Sequence, residues 1–244
     1  MLKIAPSILA ADVLNLERDV SRVVEGGCDW IHVDVMDAHF VPNLAYTPEI
    51  VRRLRERFDV PLDVHLMMDN PKKYMDTFLN AGADVLTIHA EVFCEENCAE
   101  RTGQTGQINR DNCAELLRHI RRAGAKAGLA IKPNTSEKLI LPVLDETDMV
   151  LTMTVEPGFG GQKLHEEVIG KIRRLRELGY DGEIEADGGV TAENLPLLVK
   201  NGLTVAVMGT AVFHEENPKE FIHKLRTTGH MQIAGDERGM QMEI

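Results

Sequence analysis

The chain has 244 residues, and its 27 Lys and Arg residues against 39 Asp and Glu residues give a net charge of −12. Apolar residues make up 43% and charged residues 27%, which is typical of a globular chain and excludes a disordered one. The acidic balance predicts no nucleic-acid partner, because nucleic acid selects basic patches. It leaves an anionic small ligand open, because backbone N–H groups can hold phosphate without lysines.

The sequence also predicts where the protein works. It begins MLKIAPS, without a charged head followed by an apolar stretch, which argues against a signal peptide. No run of about 18 apolar residues occurs, so we expect no membrane partner. The four cysteines, at positions 28, 94, 98 and 113, complete no zinc-finger spacing, and we expect reduced thiols in a cytoplasmic protein.

Short apolar runs alternate with longer amphipathic segments along the chain. The short runs are bounded by Gly, Pro, Asn or Asp, which is typical of strands. They cover residues 4–9, 30–36, 62–67, 85–89, 126–131, 149–154, 183–187 and 205–208. The longer segments repeat apolar residues at the helical period. They include residues 14–25, 47–57, 71–81, 112–123, 166–178, 192–201 and 218–226.

The order of these segments predicts a repeated strand–helix unit. Three of the helices are followed by glycine before the next strand, at Gly26-Gly27, Gly82 and Gly124, which suits a left-handed helix cap. Eight such units in one chain of this length favour an α/β fold, a single closed (β/α)8 TIM barrel. A doubly wound open sheet is the alternative, and the absence of a Gly-x-Gly-x-x-Gly motif at the first helix weakens it.

Two polar segments interrupt the repeat. Residues 91–110 are long and rich in Gly, Asn and Glu, and we interpret them as an enlarged loop on the top face of the barrel, a lid or a partner contact. The tail over residues 227–244 is weakly patterned, and we expect it to fray. Both are predicted decorations on one barrel domain spanning residues 1–244, and the sequence gives neither a chemical role.

Two neighbouring predicted strands carry polar residues on one face. Because side chains alternate along a strand, His32, Asp34 and Met36 point the same way. Asp63 and His65 share a face of the next strand in the same manner. A barrel interior is normally filled by bulky aliphatic residues, so buried polar groups there need partners. Two imidazoles with carboxylates suit a divalent transition metal, and the alternative is a set of core residues that satisfy one another.

Three glycine-containing turns follow later strands. Residues 155–162 precede a helix, whose unpaired N–H groups and dipole favour a phosphate. Gly209-Thr210 offers the same after the last strand. Asp187-Gly188-Gly189 ends the seventh strand, and alone it would be an ordinary turn. Turns that follow consecutive barrel strands converge on one place, so together they predict a phosphate site.

These segments together resemble the ribulose-phosphate 3-epimerase family. The matching stretches are IAPSIL from residue 4, HVDVMD from 32, HFVPN from 39, DVHLM from 63, MTVEPGFGGQ from 153 and DGGV from 187. They stand in the family's order from residue 4 to about 213, nearly the whole predicted barrel. The resemblance implies a phosphate-binding barrel with one divalent metal ion (Zn, Fe(II), Mn or Co). It also implies a sugar-phosphate substrate and assembly as a homo-oligomer, a dimer or a hexamer.

The resemblance implies roles for the matched residues. The implied metal ligands are His32, Asp34, His65 and Asp187, and Asp34 and Asp187 would also be the two acid/base groups. Contacts to the substrate are implied for Ser7, His65 and Asp187. Contacts to its phosphate are implied for Gly158, Phe159, Gly160, Gly161, Gly188, Gly189, Gly209 and Thr210. The methionines implied around the reacting carbon are Met36, Met67 and Met153.

The implied activity is inversion of C3 of a ketose phosphate, with D-ribulose 5-phosphate going to D-xylulose 5-phosphate. One carboxylate on each face of the carbon would exchange the proton, and a metal would stabilise the enediolate. A 3-epimerase of a six-carbon ketose phosphate, such as D-allulose 6-phosphate, is the nearest alternative. A metal-assisted aldolase or decarboxylase, and a sugar-phosphate-binding protein without activity, are the others.

The chain departs from the family's usual pattern at four places. Ala38 stands where the family usually has Gly, and Thr210 stands where Ser is usual. The loop over residues 91–110 is longer than is usual in the family, and Ala45-Tyr46-Thr47 is not the commonest sequence at its place. Because the loop and Tyr46 could touch the distal end of the substrate, they leave the identity of the sugar open.

Overall fold

Eight short strands, each too apolar to face water on both sides, pair in parallel and curl into a barrel. The computed structural model describes residues 1–94 and 107–227. The barrel strands are β1 (Lys3–Pro6), β2 (Ile31–Asp37), β4 (Leu62–Met67), β5 (Val85–His89), β6 (Lys126–Ile131), β7 (Met149–Met153), β8 (Glu183–Asp187) and β9 (Val205–Met208). A two-residue strand, β3 (Leu44–Ala45), pairs antiparallel with the end of β2.

The strand order establishes that the sheet is closed. Hydrogen bonding runs β1-β9-β8-β7-β6-β5-β4-β2, and every neighbouring pair in this series is parallel. The two ends of the series meet, because Ser7 forms a parallel bridge with His32 and the Asp29 N–H donates to the Ile4 carbonyl at 2.9 Å. The predicted (β/α)8 barrel is therefore confirmed.

Helices cover the outside of the barrel. They are α1 (Leu16–Glu25), α2 (Pro48–Arg57), α3 (Pro71–Ala81), α4 (Arg110–Arg122), α5 (Ile169–Glu177), α6 (Leu195–Lys200), α7 (Thr210–Phe213) and α8 over residues 218–227. Between β6 and β7 a 3₁₀ segment, Glu137–Glu146, replaces an α-helix, and it contains Pro142, which cannot donate a helical hydrogen bond. Shorter 3₁₀ segments are Ile8–Ala10, Val13–Asn15, Ala90–Phe93 and Glu166–Val168.

Most strand bounds match the prediction, and the differences have local causes. The first strand ends at Pro6 and not at residue 9, because the Ser7 side chain accepts the Leu9 N–H and begins a 3₁₀ turn. The predicted helix over residues 192–201 begins only at Leu195. The Asn194 side chain accepts the Thr191 N–H and holds the preceding residues in a turn.

The alternation of side chains divides the core into two shells. On β2, Ile31, Val33 and Val35 face outward into the large cluster beneath the helices. The interior holds a separate apolar cluster that includes Trp30 and Met149. The polar residues of the same strands therefore lie inside the barrel, on the face that the pattern predicts.

Two backbone conformations bear on the sequence departures. Gly82 caps α3 with φ 107°, as expected for a left-handed cap. Ala38 has φ 60°, a left-handed conformation that favours glycine, which explains why glycine is usual at this place in the resembled family. Tyr46 also has a positive φ of 41°, and its hydroxyl donates to the Ile8 carbonyl at 2.7 Å.

The two interrupting segments are described only in part. Residues 95–106 of the predicted loop and 228–244 of the predicted tail lie outside the described residues. The expectation of reduced thiols is confirmed for Cys28 and Cys113 and is wrong for Cys94, which is disulfide-bonded. Within residues 1–94 and 107–227, no helix has the length and apolar character needed to cross a membrane.

A glycine inside β6 makes room for the neighbour of His65. Thr87 is the register partner of both His65 and Gly128. A Cβ at Gly128 would lie 2.1 Å from Thr87 Oγ1. Gly128→Ala should therefore lower the free energy of unfolding by about 1–3 kcal/mol, measured by urea denaturation. Gly170→Ala in α5, which meets only the end of the Arg174 side chain, is the control and should cost nothing, whereas wild-type stability in the Gly128 variant would contradict the packing argument.

Candidate active site

Four side chains from three strands meet at the carboxyl end of the barrel. Parallel pairing sets Asp34 on β2 opposite His65 on β4, while Asp187 ends β8. His65 Nδ1 lies 3.5 Å from Asp34 Oδ1 and 3.6 Å from Asp187 Oδ2. His32 Nε2 lies 3.3 Å and 3.9 Å from the same two oxygens. The two nitrogens and two oxygens thus surround one point.

The donor set of this cluster fits a divalent cation. His32 and His65 are fully buried, and among the described residues neither His32 Nε2 nor His65 Nδ1 has a hydrogen-bond partner. Leaving buried polar atoms unpaired costs free energy, so two such atoms facing two carboxylate oxygens need a shared partner. The four atoms lie within 4.8 Å of one another, and nitrogen with carboxylate oxygen is a set that Zn²⁺, Fe²⁺, Mn²⁺ and Co²⁺ accept. The cluster could therefore hold a metal ion.

In this cluster the imidazoles and the carboxylates shift one another's pKa values so that each favours the charged form of the other. Burial lowers the pKa of His32, but the Asp63 and Asp34 carboxylates raise it well above its ordinary value. Burial likewise opposes the charge of His65, and the nearby Asp187 and Asp34 carboxylates raise its pKa. Burial would raise the pKa of Asp34, yet His32 and His65 lower it. Asp34 is therefore a carboxylate that requires positive charge beside it.

A buried acid pair supports His32 from below. His32 Nδ1 lies 2.6 Å from Asp63 Oδ2, which fixes the ring and leaves Nε2 for the cluster. Glu185 Oε1 lies 3.7 Å from the same nitrogen. Burial and the Asp63 charge raise the pKa of Glu185 well above its ordinary value. A neutral Glu185 beside Asp63 limits the negative charge buried inside the barrel.

A second chain of polar groups stands behind His65. His65 Nε2 lies 2.9 Å from His89 Nε2, and His89 Nδ1 lies 3.0 Å from Glu91 Oε2. Sequence reasoning missed both groups, because it placed Glu91 in an enlarged polar loop on the top face of the barrel and gave it no chemical role. Glu91 is only 2% exposed and belongs to the 3₁₀ segment Ala90–Phe93. The available signal was His89 at the end of β5, on the same strand face as Thr87, the register partner of His65.

Ser7 orients Asp34 from the end of β1. Its hydroxyl donates to Asp34 Oδ2 at 2.6 Å, while Asp34 Oδ1 faces the two imidazoles. One carboxylate oxygen is therefore held by a neutral donor and the other remains for the cluster.

Above the four-residue cluster lies a cavity of about 780 Å³. Its lining contains nearly every residue that the resemblance implies for the substrate: Ser7, Asp34, Met36, Met67, Met153, Gly158, Phe159, Gly160, Gly161, Asp187, Gly188, Gly189, Gly209 and Thr210. His32 and His65 lie beneath this lining, with their free nitrogens directed at the carboxylates. Tyr46, expected near the distal end of a substrate, is not part of the lining, because its hydroxyl is bound to Ile8.

One end of the cavity is built from backbone. The loops after β7, β8 and β9 meet there, and a Cβ at Gly189 would lie 2.5 Å from the Leu164 nitrogen, so only glycine allows this approach. Within the described residues, the N–H groups of Gly161, Gly189 and Thr210 donate to no protein acceptor. No Lys or Arg lines the described cavity. These N–H groups suit an anion such as phosphate.

Part of the cavity wall is apolar. Met36 and Met67 pack together with Val41, and Met153 packs with Val155. All three methionines are buried and line the same cavity as Asp34 and Asp187, so they give that cavity an apolar wall.

The sequence profile of the Ribulose-phosphate 3 epimerase family matches residues 3–213 of the chain. Ribulose-phosphate 3-epimerase from Bacillus subtilis is 41% identical over 234 residues, covering 93% of this chain and 99% of that protein. The enzyme of the same name from Schizosaccharomyces pombe is 38% identical and covers 93% of each chain. A rice protein named as the cytoplasmic isoform is 37% identical and covers 92% of each chain.

Solved structures with low sequence identity share the fold. 3-Hexulose-6-phosphate synthase from Salmonella typhimurium has a TM-score of 0.68 at 14% identity, covering 95% of this chain and all of that chain. 3-Keto-L-gulonate-6-phosphate decarboxylase from Vibrio cholerae has a TM-score of 0.65 at 16% identity, covering 95% of this chain and 97% of that chain. These likenesses support the TIM-barrel architecture alone.

Metal retention tests the cluster directly. His65→Ala removes one of the four ligand-capable atoms, so a dialysed sample should retain far less Zn²⁺ or Mn²⁺ than the wild-type protein, measured by elemental analysis. His119→Ala is the matched control, because His119 is half-buried on α4 and, within the described residues, its side chain pairs with Asp76 outside the cluster. Full occupancy in the His65 variant would remove this residue from the ligand set.

Proposed function

The chain belongs to the ribulose-phosphate 3-epimerase family, and from that premise we propose that it inverts C3 of D-ribulose 5-phosphate to give D-xylulose 5-phosphate. The observation that carries the proposal is the meeting of Asp34 and Asp187 in the lining of a cavity that also presents backbone N–H groups without protein acceptors in the described residues. The two carboxylates come from β2 and β8, which have two other strands between them, so they can approach one carbon from different sides.

The proposed chemistry moves one proton off C3 and returns one on the opposite face. Asp34, whose lowered pKa keeps it a carboxylate, accepts the proton in one direction, and Asp187 donates to the other face. The roles exchange in the reverse direction. Ser7 holds Asp34 in place by its hydrogen bond to Oδ2, so the carboxylate does not rotate away from the carbon.

His32, Asp34, His65 and Asp187 are the residues that would hold a divalent ion. When bound, such an ion supplies positive charge that stabilises negative charge developing on the substrate oxygens. The unpaired His32 Nε2 and His65 Nδ1 support this assignment. Zn, Fe(II), Mn and Co all suit the donor set, so the identity of the ion stays a prediction.

Substrate orientation follows from the polar and apolar parts of the cavity lining. We assign the phosphate to the backbone N–H groups of Gly161, Gly189 and Thr210, which lie on the loops after β7, β8 and β9. Binding energy gained there holds the sugar so that C3 lies between the carboxylates. The methionines Met36, Met67 and Met153 would keep water from the reacting carbon, which protects the intermediate from solvent protons.

We also propose one barrel domain over residues 1–244. Assembly as a dimer or hexamer and a cytoplasmic location stay predictions, with the rice relative named as a cytoplasmic isoform in support of the location.

Asp34→Asn and Asp187→Asn should each lower kcat on D-ribulose 5-phosphate by at least about 10²-fold, because an amide cannot exchange the proton. Metal content is measured on the same samples, so that lost turnover is separated from lost metal. Asp76→Asn, an exposed position, is the control and should leave kcat unchanged. Turnover near the wild-type rate in either variant would remove that carboxylate from the mechanism.

Incubation with D-ribulose 5-phosphate in D2O tests the reaction class. The product should be D-xylulose 5-phosphate carrying deuterium at C3, detected by NMR, with no product of carbon–carbon cleavage. Cleavage products, or binding without turnover, would contradict epimerisation. The same assay with D-allulose 6-phosphate compares kcat/KM, and a higher value for the six-carbon sugar would overturn the pentose assignment.

A further inference from the structure

The hydrogen bonds that link His65, His89 and Glu91 run in one direction, which the other partners of Glu91 determine. Glu91 Oε1 accepts the Lys132 N–H at 2.7 Å and the Thr135 hydroxyl at 2.5 Å. Its other oxygen, Oε2, lies 3.0 Å from His89 Nδ1. The neighbouring donors overcome burial and lower the pKa of Glu91 to about 2, so Glu91 is a carboxylate and can only accept.

The hydrogen on each imidazole follows from this acceptor. His89 Nδ1 must donate to Glu91 Oε2. His89 is fully buried, which disfavours a charged ring, and a neutral imidazole carries one N–H, so His89 Nε2 accepts. Among the described residues its hydrogen-bond partner is His65 Nε2 at 2.9 Å, which must therefore donate. His65 Nδ1, which faces the Asp34 and Asp187 oxygens, is then the ring nitrogen that remains for the cluster.

We propose that His89, oriented by Glu91, is a positioning residue that keeps the proton of His65 on Nε2 and so presents Nδ1 as a metal-binding lone pair. The role in metal binding rests on the proposed function. The placement of the proton does not, because it follows from hydrogen bonds within the protein. His32 is oriented directly by the Asp63 carboxylate, whereas His65 is oriented by the Glu91 carboxylate through a second imidazole, His89.

Packing holds His65, His89 and Glu91 in this geometry. The His65 and His89 rings stack with centroids 5.0 Å apart, and the Phe40 ring lies 4.6 Å from His89. His89 is fully buried, so water cannot replace either of its partners. The orientation of His65 therefore depends on the acceptor at Glu91 and not on solvent.

Glu91→Gln tests the direction without changing the shape. The two donors on Oε1 hold that oxygen, so the amide nitrogen replaces Oε2 and donates to His89 Nδ1. His89 must then carry its proton on Nε2, which forces His65 to accept at Nε2 and to hold its proton on Nδ1. A proton on the ligand atom competes with the metal, and the affinity for Zn²⁺ should fall at least about tenfold.

Two readouts and two controls make the test specific. The ¹⁵N spectrum of the metal-free protein reports which nitrogen of His89 is protonated, and chelator competition gives the Zn²⁺ dissociation constant. Thr135→Val removes one donor from Glu91 but leaves the carboxylate, so both readouts should match wild type. Glu137→Gln changes a buried glutamate that pairs with Arg174 outside the site. It should lower the free energy of unfolding and leave both readouts as in wild type.

The proposal requires the proton of His89 on Nδ1 in wild type and on Nε2 in Glu91→Gln, together with weakened Zn²⁺ binding in that variant. A wild-type His89 protonated on Nε2 overturns it, even if the Glu91 variant does not fold. Unchanged Zn²⁺ affinity in a folded Glu91→Gln protein also overturns it. A wild-type protein that binds no divalent ion would contradict the proposed metal site, and the ¹⁵N spectrum would still decide the placement of the proton.

Discussion

The structure depends on the enclosure of two imidazoles and two carboxylates around one point at the carboxyl end of the barrel. Such groups lose hydration when they are buried, and only mutual compensation or a bound cation offsets that loss. Each member is also held from outside the cluster. Asp63 orients His32, Ser7 orients Asp34, and His89 contacts His65. Contacts within the protein therefore fix the arrangement, which is what proton transfer between fixed carboxylates requires.

Both the protein and its proposed substrate are negatively charged, and backbone N–H groups in the cavity can offset the repulsion between them. A chain with a net charge of −12 would repel a sugar phosphate unless local groups reversed the potential. No Lys or Arg lines the described cavity, so in the proposed function the groups that favour the phosphate are N–H groups on the loops after β7, β8 and β9. Glycine at position 189 lets those loops approach closely enough for their N–H groups to converge.

Much of this could be read from the sequence, because periodicity reports which way a side chain points. Alternation on β2 and β4 placed His32, Asp34 and His65 inside the barrel, where the structure has them. Periodicity does not report contacts between distant residues. Glu91 looks like part of a polar loop in the sequence, and only the fold brings it against His89 and Thr135. The sequence pattern also did not predict the 3₁₀ segment Glu137–Glu146. Pro142 in this segment has no N–H to donate, so an α-helix cannot form there in full.

The central claim is that one divalent ion is held by His32, Asp34, His65 and Asp187. Diffraction from crystals grown with Mn²⁺ or Zn²⁺, recorded at the absorption edge of the metal, tests it most directly. The account predicts one anomalous peak within coordination distance of His32 Nε2, His65 Nδ1, Asp34 Oδ1 and Asp187 Oδ2. A peak bound elsewhere, or no peak at this cluster at saturating metal, would contradict it.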